Sequence, residues 1–171
     1  MDLKEKIRVI EDFPVAGISF KDITTVLQDK DALRECIDSL AGLIKGEVDV
    51  IVGPEARGFI LGTPLAYKLG CAFVPVRKPG KLPSETLSYE YALEYGTDTL
   101  EIHKDAIRPG DKVVIVDDLA ATGGTFEACA KMVEALGGEV VQIVTLIELT
   151  GLKPAEKLAK YDLTSLVQYE F

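Results

Sequence analysis

Val113-Val114-Ile115-Val116 runs straight into Asp117-Asp118 and then into Leu119-Ala120-Ala121-Thr122-Gly123-Gly124-Thr125. Four β-branched apolar residues in succession leave a strand no polar side. Both its faces must be covered, as in a parallel sheet between helix layers. Two carboxylates then stand at the strand's C-terminal end, before a short loop of small and hydroxyl residues. Residues 126–136 carry apolar side chains at helical spacing and stop at Gly137-Gly138. Strand, tight loop and helix together form the unit that binds ligands at strand C-termini in α/β proteins.

The loop N–H groups and the helix N-terminus can take a phosphate without a lysine. The GxxxxGK[ST] pattern is missing, which excludes a P-loop nucleotidase. The aspartates then choose among phosphate ligands. A carboxylate only accepts hydrogen bonds, so it suits sugar hydroxyls, or a metal, beside the phosphate. Either half alone is an ordinary acidic strand end or an ordinary turn. In order, each part answers a different group of one ligand, and the block predicts a site for a phosphorylated sugar.

The rest of the chain alternates strand and helix signals. Helical periodicity covers residues 3–12, and residues 13–18 break it. A helix is predicted over 31–45, capped by Asp29 or Asp31 and ended by Gly46. A strand follows over 48–52, a helix over 58–69 stopped by Gly70, and a strand over 72–76 whose Pro75 places it near a sheet edge or ends it there. Residues 89–102 alternate polar and apolar without a clean core face, which predicts an exposed β-flap. Beyond the turn at 108–111 and the signature strand come a strand over 139–149, a short helix over 154–161 and a last strand over 163–171. This order predicts an α/β fold with a mainly parallel sheet and helices on both faces. At 171 residues the chain has the length of one domain.

The net charge of −9 opposes a nucleic-acid surface, which needs a clustered basic footprint. It also repels polyphosphates, so such a ligand requires local basic residues or a divalent cation. No apolar stretch reaches membrane-spanning length, and Met1-Asp2-Leu3-Lys4-Glu5-Lys6 is not a signal peptide, so no membrane partner is expected. Cys36, Cys71 and Cys129 lie far apart without a CxxC pair, and His103 is the single histidine. The cysteines read as small core residues in a reducing compartment, the cytoplasm, and a direct protein metal site is not expected.

Other segments carry chemistry less plainly. Gly53-Pro54-Glu55-Ala56-Arg57-Gly58-Phe59 repeats the strand–loop–helix logic, with a guanidinium suited to phosphate oxygens. Taken alone it reads slightly better as a helix start with a surface arginine. Arg77-Lys78-Pro79-Gly80-Lys81-Leu82-Pro83 is the densest basic patch, and its bland reading is a solvated loop. Tyr89-Glu90-Tyr91-Ala92-Leu93-Glu94-Tyr95-Gly96 reads as part of an acidic hairpin. A carboxylate on a mobile cover would reach a base only when substrate is bound, and closure would exclude water. Phe13 to Thr24 reads as an N-terminal loop packing phenylalanines. His103, beside Lys104 and Asp105, reads as a surface residue.

The Asp117–Thr125 block resembles the phosphoribosyl-pyrophosphate signature of type I phosphoribosyltransferases. The resemblance implies that family's fold, with a small N-terminal hood over about residues 1–28 and a flexible β-flap over about 82–104. It implies Asp117 and Asp118 on the ribose hydroxyls, and Ala121, Thr122, Gly123, Gly124 and Thr125 on the 5-phosphate. Glu55, Ala56 and Arg57 would face the pyrophosphate, with a cis peptide between Glu55 and Ala56. Three further segments are similar to the adenine branch of the family. "VPVRKPGKLP" implies Arg77, Lys78 and Lys81 on pyrophosphate across a homodimer interface. "LEYG" implies Glu94 as the proton-transfer residue, accompanied by Tyr95. The segment around "GISFKDIT" implies Phe20 stacked on adenine, with Ser19 and Lys21 reading its edge and Leu149 closing its other face. Lys21 stands where many members have arginine, and a lysine lacks the planar fork. Ala120 stands where adenine enzymes often have leucine, which implies a packing change. The implied reaction joins adenine to phosphoribosyl pyrophosphate, giving AMP and pyrophosphate, with Mg²⁺ held by ligand oxygens and water. Two alternatives remain at this point: another purine transferase, acting on xanthine, hypoxanthine or guanine, and a regulator that senses phosphoribosyl pyrophosphate.

Overall fold

The computed structural model describes residues 1–93 and 95–171. Its centre is a five-stranded, all-parallel sheet in the order β4-β3-β7-β8-β9. The strands are β3 (Val50–Pro54), β4 (Ala72–Val76), β7 (Lys112–Ala120), β8 (Glu139–Leu149) and β9 (Leu163–Tyr169). Strand β4 is an edge, where Pro75 removes no needed ladder donor.

The signature strand behaves as its sequence requires. Val113 and Ile115 enter one core cluster and Val114 and Val116 the other, because successive strand side chains point to opposite faces. The first cluster is covered by α5 (Gly124–Ala135), with Phe126, Cys129, Met132 and Val133. The second is covered by α3 (Lys30–Leu43) and α4 (Arg57–Leu69), with Cys36, Leu40, Leu61 and Leu65. Helices therefore lie on both faces, as predicted. Asp29 is the cap of α3, accepting from the N–H groups of Asp31 and Ala32. Gly70 closes α4 in the left-handed conformation at φ 71°.

Three sequence expectations change. The helical periodicity of residues 3–12 yields only α1 (Leu3–Lys6), followed by strand β1 (Arg8–Glu11), which pairs antiparallel with β2 (Ser19–Asp22). Val9 and Ile10 suit a pleated strand, and the Arg8 guanidinium bonds Asp22 directly across the pair at 2.7 Å. The flap is also less exposed than its pattern implied. Strands β5 (Thr86–Ala92) and β6 (Thr97–His103) form an antiparallel hairpin. Leu100 and Ile102 are buried in the first core cluster, with Leu87, Tyr89 and Tyr91 packed against it. Finally, the short helix near residues 154–161 splits into α6 (Pro154–Lys157) and a 3₁₀ turn over Ala159–Tyr161. His103 is half-buried at the hairpin base and accepts from the Ser84 N–H at 3.3 Å.

Cys36, Cys71 and Cys129 are all free thiols, and Cys36 and Cys129 are buried. Burial raises the Cys36 thiol to about 12. Among the described residues no helix is long and apolar enough to cross a membrane.

Candidate active site

The strand order places the site. The β3–α4–β4 unit runs to one side of the sheet, and β7, β8 and β9 run to the other. Neighbouring strands β3 and β7 therefore flank the topological switch point, where the crevice of an open α/β sheet lies. Both motif loops emerge there, Glu55–Ala56 after β3 and Ala121–Gly123 after β7. The Glu55–Ala56 peptide is cis.

Asp117 and Asp118 are adjacent on one strand, so they diverge. Asp118 is buried and turns to α4, where Arg57 Nε donates to its Oδ2 at 2.5 Å. Asp117 lines a cleft of about 330 Å³. Its Oδ1 also accepts from the Asp118 N–H at 2.8 Å. Burial, and then the neighbouring Asp118 charge, push the Asp117 carboxyl well above the usual carboxylate range, with Arg57 opposing. The close approach of α4 leaves little room beside Gly58. A Cβ on Gly58 would sit 3.3 Å from Asp117 Oδ1 and 3.2 Å from the Val116 carbonyl oxygen.

The same cleft is lined by Ala121, Thr122, Gly123, Gly124 and Thr125. Gly123 takes φ 93° as the residue before α5, and no side chain caps that helix. The first helical bond is from the Glu127 N–H to the Gly123 carbonyl. The N–H groups of Gly124, Thr125 and Phe126 therefore precede the helical ladder and remain for an anion in the cleft.

The basic loop is tied to both β3 and the flap. Glu55 Oε1 accepts from Arg77 Nε at 3.1 Å and from the Lys78 N–H at 2.8 Å. The Lys78 N–H and then the Arg77 charge hold the Glu55 carboxyl below its ordinary value. The Arg77 guanidinium also lies 5.7 Å from the Phe59 ring centroid. Lys78 pairs with Asp98 on β6, which raises the lysine and lowers the aspartate. Lys81 is exposed, near enough to Glu55 to help lower it.

Sequence reasoning missed the groups that organise this loop. The Glu101 carboxylate accepts from the Gly80 N–H, Thr86 Oγ1 and Ser88 Oγ at 2.9–3.1 Å, while its backbone pairs with Arg77. The Tyr91 hydroxyl lies 3.4 Å from both Asp98 Oδ2 and Thr125 Oγ1, joining the hairpin to the loop after β7. Lys157 of α6 completes the cleft lining. The signal for Glu101, Asp98 and Tyr91 was their place in the flap alternation. Lys157 had none.

The predicted base-binding residues sit on the N-terminal strand pair and at the end of β8. Phe20 is half-buried and meets Phe13 edge to face at 5.2 Å. Ser19 Oγ donates to Glu11 at 3.0 Å. Lys21, nearly buried, donates to Ser19 Oγ at 2.7 Å and to the Phe171 backbone oxygen at 2.8 Å, and its ammonium lies 4.8 Å from the Tyr169 ring centroid. Burial lowers that ammonium. Leu149 ends β8 opposite Tyr169 of β9, so Tyr169 links it to Lys21. Tyr95 is exposed at 86 %. Glu94 lies outside the described residues.

The chain matches the Phosphoribosyl transferase domain family over residues 21–169. It is 67 % identical to the adenine phosphoribosyltransferase of Alkaliphilus oremlandii, covering 100 % of both chains. It belongs to the adenine phosphoribosyltransferase family. Among solved structures of that family, the Thermoanaerobacter pseudethanolicus enzyme superposes with a TM-score of 0.95 at 61 % identity, covering 98 % of each chain. The Saccharomyces cerevisiae enzyme, complexed with an imino-altritol bisphosphate and adenine, superposes with a TM-score of 0.92 at 38 % identity, covering 96 % of each chain.

Proposed function

We propose that this chain transfers the phosphoribosyl group of phosphoribosyl pyrophosphate to adenine, giving AMP and pyrophosphate in purine salvage. The carrying observation is the pair of motif loops at one switch point, joined by the Arg57–Asp118 bond, within a family of adenine enzymes. In this reading the free N–H groups of residues 124–126 and the Thr125 hydroxyl take the 5-phosphate. Asp117, and Asp118 once Arg57 shifts to the diphosphate, accept from the ribose hydroxyls. Arg57, Arg77, Lys78 and Lys81 gather the pyrophosphate beside Glu55 and Ala56.

Adenine N9 bonds to the ribose anomeric carbon as that carbon's bond to the diphosphate oxygen breaks. The N9 proton passes to Glu94, with Tyr95 beside it on the flap. Most of the rate comes from positioning and from leaving-group charge stabilisation. Phe20 and Leu149 sandwich the base, and backbone near Ser19 and Lys21 reads its edge. The Lys21 side chain serves instead to hold Phe171, an engagement that fits a residue lacking the arginine fork.

A hard divalent cation suits the oxygens that the sugar diphosphate and water bring to this cleft. Mg²⁺ bound there would neutralise the leaving diphosphate, with Asp117 reaching it through water. The whole chain acts as one domain, with about residues 1–28 over the base and about 82–104 as the flap. It works as a homodimer in the cytoplasm, where its three free thiols stay reduced.

The test is direct. The chain, phosphoribosyl pyrophosphate and Mg²⁺ are incubated with each nucleobase, and the nucleotide formed is identified. AMP is expected, with little product from hypoxanthine, guanine or xanthine. Equal or better turnover of a 6-oxopurine would sink the substrate assignment.

A further inference from the structure

We propose that Lys157 is a phosphate-binding cation of this site, acting on the 5-phosphate. The inference rests on the sugar-phosphate reading above and adds to it a residue outside the signature block. The loop over residues 121–125 has no basic side chain. A helix N-terminus supplies roughly half an elementary charge. A phosphate monoester carries nearly two negative charges at neutral pH. Loop dipoles alone leave that charge under-compensated in a chain of net charge −9.

Lys157 is the one basic residue among the described residues that line the cleft. Its position is fixed from below. It ends α6, whose Pro154 is buried, and the next residue, Leu158, is fully buried in the first core cluster. The Leu158 N–H donates to the Pro154 carbonyl at 2.9 Å. Leu158 packs directly under the loop, since a Cβ built on Gly123 would lie 3.3 Å from its Cγ and Cδ1. Lys157 Cδ lies 3.6 Å from that same point. The lysine stem therefore crosses the phosphate loop at Gly123 while the side chain stays exposed at the cleft. A flexible point charge is the right partner for a phosphate whose orientation is already set by backbone N–H groups. The other basic groups face elsewhere: Arg57, Arg77 and Lys78 are engaged with Asp118, Glu55 and Asp98 around the β3–β7 end and the flap.

A lysine that only complements the C-terminus of α6 would move stability and leave ligand affinity alone. Calorimetric titration of the full chain and of Lys157→Gln and Lys157→Arg separates the two roles, with AMP, ribose 5-phosphate and inorganic pyrophosphate as probes. Lys157→Gln should weaken AMP and ribose 5-phosphate about five- to thirty-fold, the range for one partly screened charge-assisted contact. Lys157→Arg should restore most of that loss. Pyrophosphate affinity should not change, and the salt dependence of ribose 5-phosphate binding should flatten. Unchanged ribose 5-phosphate affinity in folded Lys157→Gln, or an equal loss for pyrophosphate, would overturn the proposal. A wild-type chain that binds neither AMP nor ribose 5-phosphate would overturn the sugar-phosphate reading itself, and this inference with it.

Discussion

Arg57 Nε donates to Asp118 Oδ2 at 2.5 Å, joining the start of α4 to the end of β7 across the switch point of the sheet. The pair is asymmetric. Asp118 has 6 % of its side chain exposed and Arg57 has 52 %. The acid cannot leave its place, whereas the guanidinium can swing to an arriving anion. The guanidinium charge also offsets part of the repulsion that Asp118 exerts on Asp117.

Arg57→Met should therefore cost stability as well as ligand affinity. Breaking a fully buried pair costs about 3–5 kcal/mol; with Arg57 half in water, roughly 1–3 kcal/mol is expected. Urea unfolding measures this. Adding Asp118→Asn should recover most of the loss, and a double variant no more stable than Arg57→Met would show that the pair does not carry the effect.

Asp117 sets a pH dependence with a definite sign. Its folded carboxyl is raised above the unfolded value by burial and by Asp118. Between the two values the folded state holds a proton that the unfolded state lacks. Stability from this group is thus full below the ordinary carboxylate range and is lost as pH rises through the raised folded value. Asp117→Asn should remove that slope and melt higher than wild type at the alkaline end, while binding phosphoribosyl pyrophosphate more weakly. Parallel pH–stability curves for the two proteins would reject the assignment.

In the proposed mechanism Glu94 takes the N9 proton, and Glu94→Gln keeps the shape and removes that transfer. Turnover should fall by about 10²–10⁴-fold with ligand binding little changed. Steady-state rates and calorimetry decide, and a near-normal rate would pass the role to Glu90 or to no side chain.

Lys21→Met tests the structural use of the lysine. It removes the donors to Ser19 and to the Phe171 backbone oxygen at a nearly buried position. A loss of about 1–3 kcal/mol is expected, read by denaturation, with kcat little altered. Unchanged stability together with a collapsed adenine affinity would return Lys21 to the base site.

The shared-site homodimer is checked by subunit mixing. Arg77→Ala and Asp117→Ala chains are each expected to be inactive. In a hybrid dimer with shared sites one site carries both lesions and the other neither, so activity should partly return. If subunits exchange and the mixture stays dead, Arg77 acts within its own chain.

Much of this was legible in the chain itself. Val113 to Val116 demanded burial on both faces, and the sheet supplies it. Gly70 stopped α4, Pro75 marked an edge, and the ordered acidic–glycine block named the ligand class, because each depends on local geometry or pattern alone. The reading failed where the pattern was short or shared. Residues 3–12 carry apolar spacing compatible with a helix, yet pairing of Arg8 with Asp22 draws Arg8–Glu11 into a strand. The flap seemed to lack a core face because its buried side, Leu100 and Ile102, covers α5, an element that follows it in the chain.

The sequence by itself determined most of the element types and the parallel direction of the central sheet. Those follow from side-chain period and turn residues. Tertiary structure alone decided which charge meets which. Arg57 found Asp118 across 61 positions, Lys78 found Asp98 across 20, and Glu101 gathered Gly80, Thr86 and Ser88. It also brought Lys157 over Gly123, because buried Leu158 anchors α6 beneath the loop. No local pattern encodes such meetings, since they depend on how separate elements pack, and packing is a property of the whole core.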